Sequence, residues 1–269
     1  MRVLVGTLRK LIRRPATLVT FLLLNVFTLL IFVLGGVSAR QSQDPEAQIA
    51  LRALFTFPGA YRVVLAFVLM NGLIVAAYAA AVAGSEWSWG TLKAAVARGE
   101  SRTRYVVGTF AGVAIAMMLM ALGAFILGIP TAILGAVLGG FSLDGVGDTS
   151  WLADLPDLLW RGMLAFSMEG ALGFAIATVT RSQIAGIGVV IGLNIAEGIG
   201  SALIHDVFKY FPFTAANALI SGGAGGPTFG GGAAPPRMDT PEALALTTFW
   251  LVAALVFASV WTERAEITG

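Results

Sequence analysis

The chain has no cysteine and one histidine, His205. Without cysteine there is no disulfide framework, no thiolate metal site and no cysteine nucleophile, and the redox compartment stays open. One histidine cannot build a multi-histidine metal site. No G-x-S-x-G turn accompanies it, so a serine–histidine relay has no nucleophile elbow. Charge is also scarce: 12% of the 269 residues are Asp, Glu, Lys or Arg, against about 25% in soluble domains. This excludes an ordinary soluble enzyme, a disordered chain and a nucleic-acid binder. The pI near 9.2 reflects a net charge of only +2. Lysine occurs only as Lys10, Lys93 and Lys209, none of them after a glycine. The G-x-x-x-x-G-K-[ST] phosphate loop is therefore missing.

Apolar residues make up 57% of the chain, and the mean hydropathy is +0.85. About 20 apolar residues in a helix cross about 30 Å of hydrocarbon. Six runs qualify: about 16–37, 60–83, 105–128, 159–180, 184–204 and 243–261. They do not alternate as barrel strands would, so the expected fold is an all-α integral membrane protein with one six-helix transmembrane domain. No charge occurs between Arg104 and Asp144, a stretch longer than one crossing. Pro130 is expected to break it, leaving 131–141 as an extension or re-entrant piece.

Basic residues set the orientation. With the N-terminus inside, inner segments hold Arg2, Arg9, Lys10, Arg13, Arg14, Lys93, Arg98, Arg102, Arg104, Arg181 and Arg264. Outer segments hold Arg40, Arg52, Arg62, Arg161, Lys209 and Arg237. The stretch 142–157 carries Asp144, Asp148, Asp154 and Asp157 without a base, which suits the outside. The expectation is a multi-pass protein of the inner or plasma membrane with both termini cytoplasmic. Arg13-Arg14, an apolar run and Val37-Ser38-Ala39 imitate a cleavable signal. The run exceeds the usual 7–15 residues, and it reads as a retained span.

Two segments outside the spans have helical faces. In 2–14, Leu4, Leu8, Leu11 and Ile12 fall on one side and Arg2, Arg9 and Arg13 on the other. That describes a helix in the headgroup plane, or simply a positive flank. In the loop after span two, Ser85 is placed to cap a helix over about 86–99 with Glu86 in its first turn and Gly99 at its end. Trp89, Leu92 and Val96 recur at helical spacing. Such a stripe packs on the lipid interface or in another protein's groove.

Glu86…Gly90-Thr91-Leu92-Lys93, followed by Arg98-Gly99-Glu100-Ser101-Arg102, resembles the signature of permease subunits of ABC-2 type exporters. The resemblance implies that 86–99 is a coupling helix docking a separate ATPase subunit. The coupling residues are then Glu86, Trp87, Trp89, Gly90, Thr91, Leu92, Lys93, Val96, Arg98, Gly99 and Arg102. It implies further that 2–14 is an amphipathic elbow helix, that short helices occupy 206–220, and that two copies pair as a homodimer or related heterodimer. ATP and Mg²⁺ would bind the partner ATPase, no cofactor would bind this chain, and the chain itself would not be an enzyme. The tail Trp261-Thr262-Glu263-Arg264-Ala265-Glu266-Ile267 is similar to the family's ending. Thr109 stands where the family often has lysine, and the Gly-rich outer loop 221–236 looks like an insertion.

Glu169 and Glu197 are carboxylates inside spans four and five. Ionisable groups in lipid are costly and mark function by default. Counted from the turn at 181–183, they fall at similar depth, with Asn194 one turn from Glu197. They line a translocation path or dimer seam, or each is bonded locally to Ser167, Ser201 or a backbone carbonyl. Asn25 and Asn71 are expected to hydrogen-bond between helices. Met117, Met118 and Met120 suit packing better than a soft-metal site, and His205 suits the outer interface. Five glycines in 186–200 mark span five as a closely packed or mobile helix. The competing reading is an ion-coupled secondary transporter using Glu169 and Glu197. An intramembrane protease lacks its residues: one histidine, and no aspartate within the spans.

Overall fold

The computed structural model describes residues 2–42, 45–222 and 238–265. The Gly-rich loop 221–236, apart from its first two residues, and the tail beyond Ala265 lie outside them. Among the described residues every regular element is helical, and six helical segments are long and apolar enough to cross a membrane. The chain is a multi-pass helical membrane protein. A backbone in hydrocarbon has no water to bond, and a helix satisfies its own N–H and C=O groups.

The helices are α1 (Arg2–Ile12), α2 (Pro15–Gln41), α3 (Pro45–Phe55), α4 (Gly59–Leu69), α5 (Gly72–Ser88), α6 (Thr91–Ala97), α7 (Arg102–Gly139), α8 (Leu155–Thr180), α9 (Gln183–Leu203), α10 (His205–Phe208), α11 (Pro212–Ser221) and α12 (Thr240–Arg264). A short 3-10 turn, Ser150–Ala153, precedes α8. The spanning segments are α2, α4 with α5, α7, α8, α9 and α12.

Packing divides the chain into two compact units. One comprises 1–20, 72–118 and 161–269. Within it α8 is central, burying Gly162, Ala165, Phe166, Met168 and Glu169 through Thr178 almost without interruption. By contrast, α9 exposes Ile184, Val189, Ile191, Ile195, Ile199 and Leu203, the side chains that lipid solvates well. Along its inner edge α9 packs on α5, where Ala76, Val190 and Phe213 form a buried cluster with Leu73, Ile176 and Leu193 around it.

The other unit comprises 21–71 and 119–160. Its core is aromatic. Phe32 meets Phe55 edge-on at 6.0 Å, and Phe55 stacks on Phe141 at 5.3 Å. α2 and α7 cross at Gly36 and Gly135, so closely that a Cβ on Gly36 would lie on the Gly135 carbonyl. Only glycine permits that approach of backbones. The Tyr61 hydroxyl donates to the Val146 carbonyl at 2.6 Å, Trp151 covers the Tyr61 ring at 4.8 Å, and Arg62 pairs with Asp154.

Several expectations are corrected. Pro130 does not end the third span: α7 is continuous for 38 residues with Pro130 inside it, about 57 Å at 1.5 Å per residue. The Thr131 hydroxyl donates to the Leu127 carbonyl at 2.9 Å, a side-chain bond in the turn that proline interrupts. Buried Ala132 and Ala136 continue the packed face. Span two is longer than 60–83 and is interrupted at Met70–Asn71. There the Asn71 side chain donates back to the Phe67 carbonyl at 2.7 Å. Asn25 does the same to Phe21, so both asparagines bond their own helix and bridge no neighbour. α3, an eleven-residue helix, occupies a segment to which the sequence pattern assigned nothing.

Candidate functional site

The last turn of α5 buries Ser85 and Glu86, which are 2% and 4% exposed. A carboxylate taken from water must be paired and hydrogen-bonded, and Glu86 is. One oxygen, Oε1, accepts from Lys10 and from Arg14 Nη2 at 3.0 Å. The other, Oε2, accepts from the Thr91 hydroxyl and the Tyr105 hydroxyl, both at 2.5 Å. Arg14 Nη1 also donates to Ser85 Oγ at 2.8 Å, and its guanidinium lies 4.7 Å over the Trp89 ring. A single carboxylate thereby joins α5, the α1–α2 junction, the start of α6 and α7.

α1 is seated for this role. Val3 and Thr7, one turn apart, sit against Gly108 and Gly112 of α7, where a Cβ would collide with them. Leu11 is fully buried. The buried face is therefore rotated from the leucine stripe expected of 2–14. Thr7, Leu11 and Arg14 are buried and Val3, Leu4 and Leu8 half-buried, while Ile12 is 76% exposed.

The expected helix over 86–99 is two pieces. Glu86, Trp87 and Ser88 finish α5. Gly90 turns the chain in the left-handed region at φ 66°, and α6 begins at Thr91. Ser85 is thus no N-cap. Its hydroxyl donates back to Val82 at 2.6 Å. The break exists because Gly90 takes left-handed backbone without Cβ strain, and Thr91 then bonds the Glu86 side chain. α6 closes with Gly99 at φ 88°, and Glu100 N–H bonds the Ala95 carbonyl at 3.2 Å, a Schellman ending.

The stripe Trp89–Leu92–Val96 is also divided. Leu92 and Ala95 face inward at 3% exposure, Trp89 is 62% exposed, and Val96 is half-buried. Lys93, Ala94, Ala97 and Arg98 form the outward face. Trp87 lies under Arg181 of the α8–α9 turn, 4.9 Å from its guanidinium carbon. Arg102 stands apart from α6. Its Nη1 reaches the carbonyls of Thr262, Glu263 and Ala265 at 2.8–3.2 Å at the end of α12. In return Glu263 accepts from the Thr103 N–H and hydroxyl at the start of α7.

Glu169 and Glu197 are each 2% exposed. Glu169 lies against Gly72, the first residue of α5, where any Cβ would fall on its carboxylate. Its Oε2 has no hydrogen-bond partner. Ser167, its expected local partner, donates instead to Met163 at 2.7 Å. Glu197 caps α11: its Oε2 accepts from Thr214 N–H at 3.1 Å and Thr214 Oγ1 at 3.4 Å, while Oε1 is unpartnered. Each carboxylate thus stands at the N-terminal end of a helix, where the helix dipole is positive. Asn194 is half-buried and does not bond Glu197.

Sequence reasoning missed Lys10, Arg14 and Tyr105 as partners of Glu86. The available signal was that an acid amid Trp87, Trp89 and apolar neighbours requires a cation, and the basic N-terminal segment carries Lys10 at the end of α1 and Arg14 just beyond it. Among the described residues no group of three or more His, Cys, Asp or Glu could hold a metal ion.

Compared with curated proteins, the chain matches none. Residues 54–262, from the end of α3 to the last turn of α12, match the family described as "Protein of unknown function (DUF2705)". The match takes in α5, α6, Glu86, Glu169 and Glu197, and the chain belongs to this family.

Proposed function

We infer that this chain is the membrane-spanning permease subunit of an ATP-driven ABC transporter, an exporter by the resemblance of 86–102. It works as a pair of permease copies and docks a separate ATPase that binds ATP and Mg²⁺. The observation that carries the reading is the seat of α6. Its Lys93, Ala94 and Ala97, with Arg98 at its end and Trp89 just before it, face outward, and its first residue bonds the same buried carboxylate that holds Lys10, Arg14 and Tyr105. A surface helix that merely covered a loop would need no such anchor. Force applied to α6 is delivered through Glu86 to α1, α5 and α7 together.

In this reading α6 and both termini are cytoplasmic, in the inner or plasma membrane. Glu169 and Glu197 belong to the translocation path or the seam between copies; their unpartnered oxygens are buried in this conformation and are reached when the surrounding helices part. Alanine-to-glutamate changes at Ala94 and Ala97 test the docking role without touching the core. Copurification with an ATPase subunit and ATP-dependent transport in proteoliposomes are expected for the native chain and lost in Ala94→Glu/Ala97→Glu. Transport driven by a proton gradient without any ATPase would replace this reading with the ion-coupled one.

A further inference from the structure

A second concave site lies beside the Glu86 anchor. α1, the end of α6 and the start of α7 border an open cleft of about 350 Å³. Gly6, Thr7 and Lys10 line it from α1, Arg98 and Glu100 from the α6–α7 turn, and Tyr105 from α7. Lys10 spends one of its three ammonium donors on Glu86 and keeps 32% of its side chain exposed. Arg98 is exposed. At Gly6 no heavy atom stands within 4 Å of where a Cβ would be, so the wall there is bare.

α1 exposes Val5 at 50% and Ile12 at 76% next to exposed Arg9 and Arg13. Apolar and basic side chains mixed on the free surface of a short helix place it at the boundary between acyl chains and headgroups. A cavity on the flank of such a helix stands at headgroup depth. Its charges are two cations and one carboxylate, which matches a phosphodiester with an ammonium attached better than a free dianion.

We propose that this cavity binds the headgroup of a zwitterionic aminophospholipid, its phosphodiester between Lys10 and Arg98 and its ammonium on Glu100. The cavity shares Arg98 with the outward face of α6, but Lys93, Ala94 and Ala97 lie outside it, and lipid binding is read on the purified chain with no ATPase present. A bound headgroup bridges α1 to the end of α6 and stiffens the junction that Glu86 forms from beneath.

The test is native mass spectrometry of the purified full chain in detergent, titrated with dioleoyl phosphatidylethanolamine and, separately, dioleoyl phosphatidylglycerol. Arg98→Gln is expected to weaken phosphatidylethanolamine binding about ten-fold, the effect of losing one charge-assisted contact, and the cavity-filling Gly6→Leu to weaken it by occupying the open space beside Gly6. Arg9→Gln, outside the cavity, is expected to leave it unchanged. Glu100→Gln is expected to abolish the preference for phosphatidylethanolamine over phosphatidylglycerol. Native-level binding by both Arg98→Gln and Gly6→Leu overturns the proposal, as does displacement of lipid by millimolar inorganic phosphate, which would make this a free-anion site. An unaltered preference in Glu100→Gln overturns the ammonium assignment.

Discussion

Glu86 offers the sharpest test of how the α1–α7 junction is held. Replacing it with leucine removes the only carboxylate among the described residues that pairs with Arg14, whose side chain is 9% exposed, and Lys10, whose side chain is 32% exposed. The Lys10 pair is partly solvated and is worth no more than about 1 kcal/mol. Arg14 is different. Its guanidinium is left with the Ser85 hydroxyl and the Trp89 ring but no counter-charge. Breaking a buried pair by removing one member costs about 3–5 kcal/mol, and Glu86→Leu is expected in that range. Arg14→Met costs less, because Lys10, Thr91 and Tyr105 still bond the carboxylate. The double variant Glu86→Leu/Arg14→Met removes the charge imbalance and is expected to be more stable than the sum of the singles predicts, by about 2 kcal/mol. Unfolding of the full chain by SDS titration in mixed micelles, followed by tryptophan fluorescence, gives all the required values. Single costs that add to within about 0.5 kcal/mol would show that the two residues do not share a site and would refute the reasoning.

Two further outcomes follow from close approaches in the structure. Gly72→Ala puts a methyl on the Glu169 carboxylate and is expected to cost about 1–3 kcal/mol by overpacking. Glu169→Ala in the same chain restores most of that loss in the same unfolding assay. Pro130→Ala is expected to change stability by less than about 1 kcal/mol, because α7 already runs through position 130. A large gain in helicity by circular dichroism would contradict a continuous α7.

The spans were legible because an apolar run of sufficient length has one structural solution in lipid. Their interruptions were not. Proline reads as a stop in any sequence pattern, and only the packing of Ala132 and Ala136 shows that the helix gains by continuing past Pro130. Gly99 ended its helix as expected, since the signal is local. Ser85 misled for the converse reason: a serine before an acid looks like a cap, but α5 had not yet finished. The residues that join Glu86 lie 76 and 72 positions away in Lys10 and Arg14, a separation at which no periodicity operates. Glu169 and Glu197 announced themselves by charge alone. Their actual neighbours, Gly72 and Thr214, come from helix ends whose positions the hydropathy pattern does not resolve.

The exchange between α7 and α12 has a consequence for how this corner of the protein meets its surroundings. Arg102 covers the carbonyls that end α12, and Glu263 covers the amides that begin α7. The positive pole of one helix and the negative pole of the other are each quenched by a side chain of opposite sign from its neighbour. These contacts lie at the exposed surface, where salt screens charge, so attachment of the two helices to each other is expected to loosen as ionic strength rises.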